Sequence, residues 1–332
     1  MITAEWVYWL AGAFFVAAGG QIARDPRHSK RWTNAAFWVL LGLSFFYGSF
    51  VRGSGGAAPP LRPELPAWPL GLAAIATALL AGFGFTSRGI VPTTTPAQRE
   101  RSARRKRNWL FVPALTIPIV TVTFAVGLSR VTIAGHALLA RGQETLVGLG
   151  VAAIVATLVG TIVLRPREPL VALREGRRLL ESVGWAVLLP QMLSVLGGLF
   201  TQAGVGTQVG LIAQHVVPQD SRVFAVIVYA AGMAAFTIVM GNAFAAFPIM
   251  TAAVGWPVLV QRFGAHPAPM FAIGMLAGYC GTLCTPMAAN FNLVPPALLE
   301  MKDKYGQIKV QIPTAVALFA VNVGFMLVLP FV

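Results

Sequence analysis

The chain has 332 residues, of which 56% are hydrophobic and 11% charged. A soluble domain carries about 25% charged residues, so a water-soluble globular enzyme is excluded and a membrane protein is expected. The net charge of +14 follows the alternating loops of such a protein, so no nucleic-acid partner is expected.

Apolar stretches long enough to cross a hydrocarbon core of about 30 Å recur along the chain. They lie near 5–22, 34–51, 66–86, 109–128, 144–164, 185–203, 223–250, 268–284 and 311–331. The expected fold is all-α: a polytopic integral membrane protein with about 8–10 transmembrane or re-entrant helical elements in the lipid bilayer. Glu5 stands where a signal peptide would be basic, and no small-residue cleavage site precedes the first loop, so no cleaved leader is expected. Basic residues gather at 24–31, at 99–107 and at 165–178, whereas the loops 52–64 and 130–141 are poorer in charge. By the positive-inside rule the three basic loops are cytoplasmic and the N-terminus lies outside, in a bacterial inner membrane. The 99–107 run also suits anionic lipid headgroups, although topology accounts for it without them.

The chain divides near residue 182. Residues 1–182 read as five continuous spans followed by an amphipathic helix over 167–182, lying on the cytoplasmic face with Leu170, Leu173, Leu179 and Leu180 among charges. Residues 183–332 read as a transport region with broken or re-entrant helices, rich in Gly, Pro, Gln, Asn and Thr. Pro190-Gln191 and the polar turn 202–208 leave the sixth element free to span or to turn back. Gly241-Asn242, followed by Pro248, is one break signal. The other is the run 278–296, with Gly281, Thr282, Thr285, Pro286, Asn290, Asn292, Pro295 and Pro296. Gly241, Pro248, Gly281 and Pro286 are the expected helix breaks. In lipid every backbone polar group needs a partner, so broken backbone survives only inside protein or along a wet cavity.

The ordinary reaction chemistries find little material. All 11 Asp and Glu residues fall at span ends or in loops, so no buried carboxylate is expected for a proton relay. Neither H-E-x-x-H nor G-x-S-x-G occurs, and no enzyme activity is expected. Cys280 and Cys284 lack nearby histidine and read as small buried thiols, so no metal site is expected. Gly148-Leu-Gly150 lies inside a span without a preceding strand, which excludes a dinucleotide fingerprint. Gly274 and Gly278 read as a small-residue surface for close helix packing.

Neutral polar chemistry remains. Asn242, Thr282, Thr285, Asn290 and Asn292 both donate and accept hydrogen bonds and are the expected substrate-binding residues. Helix N-termini at the breaks favour a carboxylate, and unwound carbonyls with Asn and Thr oxygens suit a coupling Na+. No other cofactor is implied. The plainer alternative is that these residues only bind helices to one another.

Several motifs together resemble one bacterial family. They are Glu5-Trp-Val-Tyr-Trp-Leu-Ala-Gly-Ala-Phe-Phe, Gly184-Trp-Ala-Val-Leu-Leu-Pro-Gln-Met-Leu, Met240-Gly-Asn-Ala-Phe-Ala-Ala-Phe-Pro-Ile-Met-Thr, Gly281-Thr-Leu-Cys-Thr-Pro-Met-Ala-Ala-Asn-Phe-Asn, and Leu298-Leu-Glu-Met-Lys-Asp-Lys-Tyr-Gly. The likeness covers essentially the whole chain and is to the larger membrane subunit of the bacterial two-subunit 5-oxoproline (pyroglutamate) transporter family. More distantly, the broken elements resemble those of the ion transporter superfamily. The resemblance implies a secondary transporter or symporter of a small organic anion, working by alternating access with a smaller membrane subunit. Broken elements occur in the second half only, so the counterpart expected of an inverted repeat comes from that partner or from a homodimer mate. The alternative is a membrane scaffold that assembles a partner without transporting.

Overall fold

The structure, a computed structural model, describes residues 2–51, 65–89, 93–133, 136–166, 171–216, 218 and 221–332. Among the described residues it is all-α apart from a short antiparallel pairing of Thr132–Ile133 with His136–Ala137. Among the described residues six helices are long and apolar enough to cross a membrane: Glu5–Ala23, Ala97–Leu128, Glu144–Leu164, Arg222–Met240, Ala243–Arg262 and Gly306–Phe331. The chain is therefore a polytopic membrane protein. It forms two compact units, Met1–Gly184 and Trp185–Val332.

In the first unit, α1 (Glu5–Ala23) and α2 (Arg31–Gly48) pack along their length. They approach closely because Gly12 and Gly42 face one another; a Cβ on either would stand 2.7–2.8 Å from the other's carbonyl oxygen. α3 (Trp68–Gly82) is a shorter apolar helix against α2. The basic helix α4 (Pro96–Lys106) starts on a capping box, with Thr95 accepting from the Gln98 amide and the Gln98 side chain accepting from the Thr95 amide. It leads into α5 (Phe111–Val122), which continues as a π-helical turn to Leu128 and packs on α6 (Glu144–Leu164).

α7 (Val171–Val183) corrects two expectations. Its Arg177 and Glu181 are buried rather than solvated. Arg177 donates to Glu181 at 2.9 Å, to Asp25 at 2.7 Å and to the Gln21 carbonyl at 3.4 Å. The other Glu181 oxygen accepts from the Gly89 amide at 2.7 Å. One buried carboxylate thus exists where none was expected, because a guanidinium four residues away and a backbone N–H together replace its water. The network ties α7 to the end of α1 and to the loop after α3. Residues 167–170, the expected start of this helix, lie outside the described residues, as do 52–64.

In the second unit, α8 (Leu189–Gln202) and α9 (Val205–Val216) are separated by a turn at Gly204. At 1.5 Å per residue α9 rises about 18 Å, too short to span alone, whereas α8 rises about 21 Å and is lengthened by the 3-10 segment Gly184–Leu188 that leads directly into it. The stretch expected as one element over 223–250 is two helices, α10 (Arg222–Met240) and α11 (Ala243–Met250). α11 runs on π-helically from Thr251 to Arg262, so Pro248 is no break. The helix continues through Pro248 in its α-helical part, and Pro257 sits in the π-helical part, whose wider turns accommodate a residue that cannot donate and that crowds the preceding turn. α12 (Pro267–Leu283), the short α13 (Ala289–Asn292) and α14 (Val294–Leu298), and α15 (Gly306–Val328) complete the unit. Tyr229, Met233, Val254, Leu259 and Met270 lie at the centre of its core.

Candidate functional site

Two breaks in the second unit meet. At the first, Gly241 has φ +69, a conformation that costs any L side chain, and its amide closes α10 on the Thr237 carbonyl at 2.7 Å. Asn242 is extended and starts α11, its side-chain oxygen accepting from the Phe244 amide at 2.9 Å. Glycine followed by asparagine is thus a helix stop followed by a helix start.

At the second break α12 ends at Leu283, and residues 284–288 form turns before α13. Pro286 lies in that turn, as expected of a break. Gly281 does not: it is inside α12, where its missing Cβ admits the Ala234 carbonyl, which a Cβ would meet at 2.3 Å. Gly274 and Gly278 serve the same face, against Tyr229 and against Met233 and Ala243. α12 therefore lies close along α10, and this brings the breaks together. A Cβ on Gly241 would stand 2.4 Å from the Met287 oxygen and 2.9 Å from the Ala288 nitrogen.

The turn at 284–288 is held by two side chains that were expected to face solute. Thr285 donates from Oγ1 to the Ile238 carbonyl at 2.8 Å and accepts from the Met287 amide at 3.2 Å. Asn292, wholly buried, donates both amide protons at 2.7 Å, to the Thr282 and Thr285 carbonyls. Its NH2 supplies partners for carbonyls that the end of α12 leaves open. Thr285 and Asn292 shape the break and do not line the cavity beside it. The same bonds occupy two of the unwound carbonyls suited to a cation.

Asn242, Thr282 and Asn290 do come together, around a cavity of about 180 Å³ whose walls include Phe244, Tyr279 and Phe291. Phe244 and Tyr279 meet edge-on at 6.1 Å. No carboxylate or basic side chain lines it. The Asn242 NH2 makes no hydrogen bond among the described residues, and α11 begins at the wall with its first-turn N–H groups. The Thr282 hydroxyl is buried, at 4% exposure, with no partner among the described residues. A buried hydroxyl without a partner costs about 1–3 kcal/mol, which a hydrogen-bonding guest or water would relieve.

Thr282, Tyr279 and Phe291 also border a second, mostly apolar cavity of about 320 Å³ lined by Leu276, Leu283 and Leu318. There the Asn322 amide of α15 donates to the Cys280 sulfur at 3.6 Å. Sequence reasoning missed Asn322, although a lone amide amid Ala-Leu-Phe-Ala-Val and Val-Gly-Phe is a visible signal. It also missed Phe244, Tyr279 and Phe291, which look like ordinary lipid-facing aromatics. Among the described residues no three His, Cys, Asp or Glu gather to hold a metal.

The chain belongs to the family described as protein of unknown function DUF979, which matches residues 5–331. No curated protein and no solved structure matches it.

Proposed function

We propose that this DUF979 protein is a subunit of a secondary transporter that carries a small organic anion across the bacterial inner membrane by alternating access. The solute of first choice is 5-oxoproline, on the motif resemblance. The observation that carries the reading is the meeting of two helix breaks around a cavity without charged side chains, containing a buried hydroxyl that lacks a partner.

In this reading the carboxylate is held by the α11 N-terminus and the Asn242 NH2, where backbone dipoles favour negative charge. Thr282 and Asn290 bond the lactam edge, and Phe244 and Tyr279 cover the ring. A scaffold that only assembles a partner needs neither the breaks nor the unsatisfied Thr282. The smaller membrane subunit, or a second copy of this chain, supplies the matching half of an inverted-repeat site.

Uptake of radiolabelled 5-oxoproline is the test, in cells expressing the chain with and without its smaller neighbour, in Na+ and in choline medium. Uptake requiring both chains and lost in Asn242→Ala and Thr282→Val supports the reading. Uptake with the neighbour that both substitutions leave intact replaces it with the scaffold.

A further inference from the structure

A second polar cavity, of about 420 Å³, lies wholly within the first unit, where the start of α1, the end of α2 and the start of α6 come together. Glu5, Ser44, Ser49, Gln143 and Tyr8 line it, and no basic side chain does. Nothing in the transport reading uses this site, and it stands or falls separately.

Its hydrogen bonds have a fixed direction. Trp9 Nε1, which can only donate, bonds the Ser49 oxygen at 2.9 Å. Ser49, 4% exposed, therefore turns its single proton to Glu5 Oε2, with which it is in hydrogen-bond contact. That bond presents Glu5 as an acceptor and leaves Oε1 without a hydrogen bond among the described residues. The Gln143 oxygen accepts from the Ala4 amide at 2.8 Å, which locks its carbonyl side toward the start of α1. Ser44 gives its proton to the Leu40 carbonyl at 2.9 Å, so only its lone pairs remain for a guest.

The cavity thus offers one carboxylate oxygen and serine lone pairs, with one formal negative charge, beside the Gln143 NH2 and the Tyr8 hydroxyl, which can donate. The last turn of α2 adds the partial negative charge of a helix C-terminus. The positive ends of α1 and α6 are each met by a first-turn acid, Glu5 and Glu144. A divalent ion generally recruits several carboxylates, and a transition metal wants nitrogen or sulfur, neither of which is provided.

We infer that this cavity is a binding site for a monovalent cation, held by Glu5 and oriented through Ser49 and Trp9. Its size admits a partly hydrated alkali ion or a small protonated amine, which share the same chemistry.

The test is thermal unfolding of the purified full chain in choline chloride, titrated separately with Na+, K+ and methylammonium. At least one of the three raises the melting temperature saturably, and the identity of that ion separates an alkali ion from an amine. Glu5→Gln raises the midpoint concentration by about tenfold or more, and Ser44→Ala, which keeps the charge and the Ser49 bond, by a few-fold. Flat titrations with all three ions overturn the proposal, as does an unchanged midpoint in Glu5→Gln. Should Glu5→Gln fail to fold, an unchanged midpoint in Ser44→Ala overturns it instead.

Discussion

Gly241→Ala tests whether the two breaks touch. At φ +69 an alanine costs about 1–2 kcal/mol for the left-handed conformation alone. Its Cβ would also stand 2.4 Å from the Met287 oxygen and 2.5 Å from the Met287 carbonyl carbon. Those atoms are backbone and cannot rotate away, so overpacking adds about 1–3 kcal/mol. The total is about 2–5 kcal/mol. Gly264 is the internal control: φ is +70 and nothing lies within 4 Å of the added carbon. Gly264→Ala should therefore cost only the conformational part, about 1–2 kcal/mol. Unfolding of the two purified variants in detergent, followed by near-UV circular dichroism, measures the difference. Equal losses would refute the contact between Gly241 and the Met287–Ala288 peptide.

Other substitutions separate structure from binding. Asn292→Leu leaves two buried carbonyls without N–H partners, at about 1–2 kcal/mol each, but also removes the partnerless Asn292 Oδ1, so a net loss of about 1–3 kcal/mol is expected in the same unfolding assay. Thr282→Val exchanges an unsatisfied hydroxyl for a methyl and should hold or raise stability while radiolabelled uptake falls. Thr285→Val should destabilise, with Thr285→Ser restoring stability, because only the hydroxyl is used. Arg177→Gln strands buried Glu181 and should cost about 3–5 kcal/mol. The Arg177 hydrogen bond holds the Asp25 carboxyl below its ordinary 3.8. The native state then binds fewer protons than the unfolded chain, so this stabilisation is full above 3.8 and is lost as pH falls through the native value. Acid unfolding curves should show Arg177→Gln losing less stability between pH 5 and acid than the parent.

The features legible in the sequence were those set by single residues. Apolar runs announce helices in lipid, and Gly241-Asn242 announces both a stop and a cap because one residue supplies the left-handed φ and the next the capping oxygen. The misreadings arose where the outcome depends on distant partners. Pro248 looks like a break, yet α11 runs through it, and no local pattern marks that. Gly281 looks like a hinge but is a contact for Ala234, on another helix. Thr285 and Asn292 share the composition of Thr282 and Asn290; only the fold decides which amide clamps carbonyls and which faces a cavity. Glu181 sits in a run of charges that reads as solvated, and its burial follows from Asp25 and Gly89, 156 and 92 residues away respectively.

The most direct measurement is thiol protection at the crossing. With Cys280 and Cys284 replaced by alanine, Asn290→Cys is labelled by a small maleimide in membranes containing the chain and the proposed smaller subunit, and Tyr305→Cys, exposed and outside the cavity, serves as control. The account predicts that 5-oxoproline slows labelling at 290, over the concentrations that saturate uptake, and leaves 305 unchanged. Labelling at 290 that is indifferent to 5-oxoproline while uptake is saturated would contradict it.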